Sequence, residues 1–191
     1  MNQHFKEIRR ILEGLKSKYA SFCGDDVESP EAPVTERDIV AEIYQRLKAF
    51  RPLKGYQVHC EIKPASSRSC SAEELKSLPR VDVVVLSDKR GASWLAEAKE
   101  LQDKFSKGEI EARLSSVPVK FFHTAIEVKI QSDVRDAKKD IDKLARILGK
   151  NPSCNCFLVL LNARGKRRGH NRIAQHGDSK GICVLEYTSR K

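Results

Sequence analysis

The spacing of apolar positions along the chain predicts most of its elements. Phe5, Ile8, Ile11, Leu12, Leu15 and Tyr19 recur at helical intervals and predict an amphipathic helix over residues 4–20. Residues 23–34, "CGDDVESPEAPV", lose that period, gain acidic residues and two prolines, and predict a linker. The chain thus divides into an N-terminal helix with its linker, 1–34, and a domain over 35–191. The first helix is expected to pack at the periphery or to make a homodimer contact. Thr35 reads as the N-cap of a helix over about 36–49, with Pro52 as its stop. Ile39, Val40, Ile43 and Leu47 form its buried stripe. Glu36, one turn before Val40, shares that stripe, whereas Glu42 lies about 240° around the helix from Glu36.

Alternation then replaces the helical period. "YQVHCEIK" (56–63) and "RVDVVVLS" (80–87) predict strands, separated by a Ser-rich loop with a short polar helix within 65–78. In the second strand Val81, Val83 and Val85 are expected on one face, and Asp82, Val84 and Leu86 on the other. Trp94, Leu95, Ala98, Leu101 and Phe105 predict a helix within 93–114, part of an insertion over about 88–118. A strand over about 119–130 ends in "TAIEVKI", with Ile126, Val128 and Ile130 opposite Ala125, Glu127 and Lys129. "SDVRDAKKDIDKLARILGK" predicts a helix with Ser132 or Asp133 as cap and Gly149 as its end. Its apolar side is Val134, Ala137, Ile141, Leu144, Ala145 and Leu148. "CFLVLL" (156–161) reads as a strand buried on both faces, and 181–187 as a last strand. A helix between the strands at 119–130 and 156–161 is the crossover that parallel pairing needs. The fold expected is α/β, with a mixed open sheet flanked by helices.

Charge narrows the partners. The 191 residues hold 36 Lys and Arg against 26 Asp and Glu, a net charge of +10. With a pI near 9.4, the expected partner is a polyanion, nucleic acid first. No apolar run is long enough to span a membrane. The N-terminal residues lack the apolar core of a secretory signal, so a cytoplasmic setting is expected. The six cysteines then read as reduced thiols, with Cys60, Cys156 and Cys183 as small core residues. Cys154 and Cys156 form C-x-C, and His170 and His176 sit in a loop-like segment without cysteines at a zinc spacing, which argues against a structural zinc.

Asp82 interrupts an apolar strand, and a carboxylate among valines is costly unless cations or donors compensate. Glu127 and Lys129 share one face of the next strand. If neighbouring strands pair, these three converge, with Glu36 on a helix that could cover the sheet. Carboxylates held together repel unless a cation lies between them, and hard oxygen ligands suit Mg2+ or Mn2+. A nearby lysine can orient or deprotonate an attacking water, a combination suited to phosphodiester hydrolysis.

The order of these motifs, a helix with an early Glu, then D…E-x-K on successive strands, then an α-β unit, resembles the PD-(D/E)xK superfamily of restriction-endonuclease-like nucleases. "ERDIVAEIYQRL", "PRVDVVVL", "AIEVKI" and "DIDKLARIL" carry the resemblance, which covers about 35–162. It implies an αβββαβ core and a Mg2+-dependent endonuclease leaving 5′-phosphate and 3′-hydroxyl ends, with DNA as the expected substrate. It implies Asp82, Glu127 and the Val128 backbone carbonyl as metal ligands, Lys129 as the residue that positions water and stabilises charge, and Glu36 as an auxiliary carboxylate. Two departures stand out: Pro79 lies three positions before Asp82, and Glu127 lies 45 positions after it. "AEAK" offers a rival pair, Glu97 and Lys99, only 15 positions after Asp82. Residues 94–105 have helical periodicity, however, and on a helix positions 97 and 99 diverge by about 200°. That favours Glu127 and Lys129.

The segment 163–172, "ARGKRRGHNR", carries Arg164, Lys166, Arg167, Arg168 and Arg172 with no acid, and reads as a basic loop able to follow a phosphate backbone. The alternative function is a non-catalytic nucleic-acid-binding or assembly protein that keeps the nuclease fold.

Overall fold

The computed structural model describes residues 3–20, 35–50, 53, 55–65, 71–87, 116–130, 134–161 and 170–187. The chain begins with α1 (Gln3–Ala20) and α2 (Glu36–Ala49). Thr35 caps α2 as expected, and Asp38 completes a capping box by accepting from the Thr35 backbone N–H. Such a cap is worth about 1 kcal/mol. β1 (Gln57–Ala65), the short α3 (Ala72–Ser77) and β2 (Val81–Leu86) follow. Then come β3 (Ser116–Pro118), a 3-10 turn (Val119–Phe121) and β4 (Phe122–Ile130). The chain closes with α4 (Val134–Lys150), β5 (Asn155–Leu161), α5 (His170–Ser179) and β6 (Cys183–Tyr187).

The described strands form one six-stranded mixed open sheet in the order β3-β1-β2-β4-β5-β6. β2 runs antiparallel to both of its neighbours, β1 and β4. β4–α4–β5 is the parallel crossover that the apolar run at 156–161 predicts, and all seven β5 residues are buried. One face of the sheet meets α1 and α2 through Ile8, Leu12, Leu15, Ile39, Ile43 and Leu47. The other meets α4 and α5 through Ala137, Ile141, Leu144 and Ile173. Each fully buried aliphatic side chain contributes about 1.5–3 kcal/mol. The first helix is therefore not peripheral. Its stripe fills the core, and the Tyr187 hydroxyl on β6 donates to the Leu12 carbonyl.

Several boundaries differ from expectation. α4 runs through Gly149 to Lys150, and its last turn is held by Asn151 N donating to the Ile147 carbonyl. The strand expected from 119 starts at 122, because 119–121 form the 3-10 turn. His170, Arg172 and His176 lie on α5 rather than in a loop, with Ile173 and Gly177 as its buried residues. Val81 leaves the face shared by Val83 and Val85 and joins the α4 side with its register partner Ile62. The reason lies one residue away: Glu61 has φ 59°, which reverses the side-chain alternation of β1 between Cys60 and Ile62. The linker 23–34, Pro52, the insertion helix 93–114 and the cap at 132–133 lie outside the described residues.

Candidate active site

The pairing of β2 with β4 stops short of the strand ends. Its register ends at Val83↔Ile126, and one further step sets Asp82 across from Glu127. From there the β2-facing edge of β4 is bonded by side chains. Val128 N donates to Asp82 Oδ2 at 2.7 Å, and Ile130 N donates to Glu36 Oε1 at 3.3 Å. Two donors at alternate positions of one strand point the same way, so Asp82 and Glu36 line one edge. The Val128 carbonyl shares that edge, because N–H and C=O of one strand residue point to the same side.

On the α4 face the charges alternate. Glu127 is 1% exposed, and its Oε2 meets Lys143 Nζ at 2.7 Å. Lys143 Nζ also lies 3.3 Å from Asp140 Oδ1 and donates to the Arg80 carbonyl at 2.9 Å. Asp140 Oδ2 is 3.7 Å from Lys129 Nζ, which is 3.8 Å from Glu36 Oε2. Glu36, Lys129, Asp140, Lys143 and Glu127 thus form one chain of opposite charges. Asp82 reaches it electrostatically through Lys143 and Lys129.

Burial dominates the ionisation of this group. It pushes the Glu127 carboxyl well above its ordinary pKa; Lys143 opposes the shift, while Asp82 and Asp140 add repulsion. Burial likewise raises Asp82, against the Val128 N–H, Lys143 and Lys129. Lys129 is disfavoured as a cation by burial, but Asp140, Glu36, Asp82 and Glu127 together outweigh it and raise its pKa. A buried carboxylate flanked by other acids holds its charge only with a cation against it.

Glu36, Asp82, Glu127 and Lys129 lie together in the structure, although Glu36 is half-exposed rather than inside the α2 stripe. Asp140 and Lys143 join them and are absent from the sequence expectation. Asp140 carried a signal: it stands three residues after Ala137 and four before Leu144, a buried position filled by an acid. Lys143 is then the natural i,i+3 partner. Glu97, Lys99, Arg164, Lys166, Arg167 and Arg168 lie outside the described residues, and Arg172 is exposed on α5.

Among the described residues no three His, Cys, Asp or Glu side chains form a ready-made metal cage. The donors present are nonetheless of the right kind for Mg2+. That ion needs few protein ligands, keeps several waters and prefers carboxylate and carbonyl oxygens. Glu127 Oε1 is buried without a hydrogen-bond partner among the described residues, a lone pair that a hard cation would satisfy.

No protein-family model matches the chain, and no curated protein matches it either. No described helix is long and apolar enough to cross a membrane.

Proposed function

We propose that the protein is a metal-dependent nuclease of the restriction-endonuclease-like PD-(D/E)xK type, hydrolysing phosphodiester bonds in DNA to leave 5′-phosphates. The observation that carries this reading is the convergence of Asp82, Glu127 and Lys129, distant in sequence, beside the split between β2 and β4. The order α2-β1-β2-β4-α4-β5 supports it as an αβββαβ arrangement.

Asp82, Glu127 and the Val128 carbonyl would hold Mg2+ or Mn2+, which supplies charge neutralisation at the scissile phosphate and acidifies water when bound. Lys129 meets its two carboxylates only at ion-pair distances of 3.7 and 3.8 Å, beyond hydrogen-bond reach of either. Its ammonium is therefore free to turn toward water or phosphate and to stabilise developing negative charge. Glu36 steadies both Lys129 and the Ile130 N–H, so it acts through them as a positioning residue. The net charge of +10 draws a polyanion to the molecule.

The test is cleavage of plasmid and single-stranded DNA with Mg2+, Mn2+ or EDTA. Metal-dependent cleavage that vanishes in Asp82→Asn and falls by about a hundredfold or more in Lys129→Met is expected. Salt-dependent DNA binding with no cleavage under any metal would favour the non-catalytic reading instead. A homodimer would have to use the polar side of α1, since its apolar stripe is already buried.

A further inference from the structure

The two lysines of the site are held differently, and the difference concerns Lys143. Its three ammonium protons match three acceptors at close range: Glu127 Oε2 at 2.7 Å, the Arg80 carbonyl at 2.9 Å and Asp140 Oδ1 at 3.3 Å. Its side chain is 15% exposed. It therefore sits where a positive charge is most needed, against the deepest carboxylate of the cluster. A single Glu127 oxygen takes that contact, and the other is left without a partner among the described residues.

We propose that Lys143 is a tethered counter-cation of Glu127, and that a divalent ion binding at Asp82 and Glu127 displaces its ammonium from Glu127. This rests on the metal reading of the site given above. The geometry supplies the route: Asp140 already touches Lys143, so the ammonium can leave Glu127 without losing every anionic partner. Because Asp140 also faces Lys129, the outgoing charge would press on Lys129 and favour its turning toward substrate. A metal ion on Glu127 and the ammonium repel each other, so each weakens the other's hold on the carboxylate. By thermodynamic linkage, the ammonium lowers metal affinity by the factor that metal lowers its own hold on the carboxylate. Lys143 would thus keep the nuclease idle at low divalent-ion concentration.

The experiment measures Mn2+ binding by isothermal titration calorimetry on the full chain, for the wild type, Asp82→Asn and Lys143→Met. Asp82→Asn should weaken binding, and Lys143→Met should tighten it by about tenfold. If the wild type binds no Mn2+, the metal reading falls and this inference with it. If Asp82→Asn weakens binding but Lys143→Met leaves it unchanged or weaker, only the displaced lysine is overturned. Should Lys143→Met fail to fold, the wild type alone decides the matter. Amine acylation followed by peptide mass spectrometry should show Lys143 labelled several times faster in saturating Mg2+, with the exposed Lys139 as an unchanged reference. Labelling that is unchanged or slowed by Mg2+ overturns the proposal.

Discussion

Glu61 adopts a left-handed backbone conformation, φ 59°, in the middle of a strand and next to the candidate site. Such a conformation costs a non-glycine residue about 1–3 kcal/mol, and a β-branched residue tolerates it worst. Glu61→Gly should therefore keep or slightly raise stability in urea unfolding, and Glu61→Val should lower it by about 1–3 kcal/mol. His123 marks a second irregularity. It falls at the register shift between Val85 and Leu86, where Thr124 pairs with Val85 and Phe122 with Leu86. Its Nε2 lies 3.2 Å from His4 Nδ1, its ring meets Tyr56 edge-on, and its Nδ1 lies 2.9 Å from the Thr124 hydroxyl. Burial, reinforced by His4, lowers its pKa to about 4. A histidine with a depressed native pKa binds fewer protons folded than unfolded. Its contribution is fully present above about pH 6.5 and is lost as pH falls toward 4. Thermal melts of wild type and His123→Asn should differ in slope across that window, with the wild type losing stability more steeply on acidification.

Elements record which patterns in the sequence were sufficient. α2 was legible from its cap to its last residue, because local chemistry, Thr35 before an apolar stripe, fixes a helix start without help from the rest of the fold. β5 was legible because a short run apolar on both faces has few alternatives between a predicted helix and a basic loop. The end of α4 was not: Gly149 invited a stop, but Asn151 N bonds the Ile147 carbonyl and its side-chain amide bonds the Val119 and Phe122 carbonyls, tying the helix end to the sheet. The place of α1 was hidden for a different reason. An amphipathic stripe states that a helix is covered, not by what, and the acidic linker suggested separation where the core shows contact. The pair Asp140 and Lys143 belongs here too, since an apolar stripe does not mark a buried acid or its lysine partner. α5 carries its own test. A Cβ on Gly177 would lie 2.4 Å from Val184 Cγ2 and 3.0 Å from the Ile182 carbonyl oxygen, the latter fixed backbone. Gly177→Ala should cost about 1–3 kcal/mol in chemical denaturation, through overpacking of α5 on β6.

For the whole molecule, charge is the governing quantity. Electrostatic binding to DNA releases counterions, so log K should fall linearly with log salt, with a slope that counts the phosphates contacted. Neutralising Arg164, Lys166, Arg167 and Arg168 together should weaken binding and flatten that slope; a slope equal to the wild type's would remove this segment from the interface. The split between β2 and β4 has a second consequence, for how the protein behaves in bulk. The N–H groups of Val128 and Ile130 are open valences of a sheet, and Asp82 and Glu36 plug them. An unplugged strand margin is a template for another chain. Truncating Asp82 to alanine should therefore yield protein that self-associates on storage, by light scattering. Asparagine, whose amide oxygen can still accept from Val128, should stay dispersed and is the cleaner substitution for every assay above.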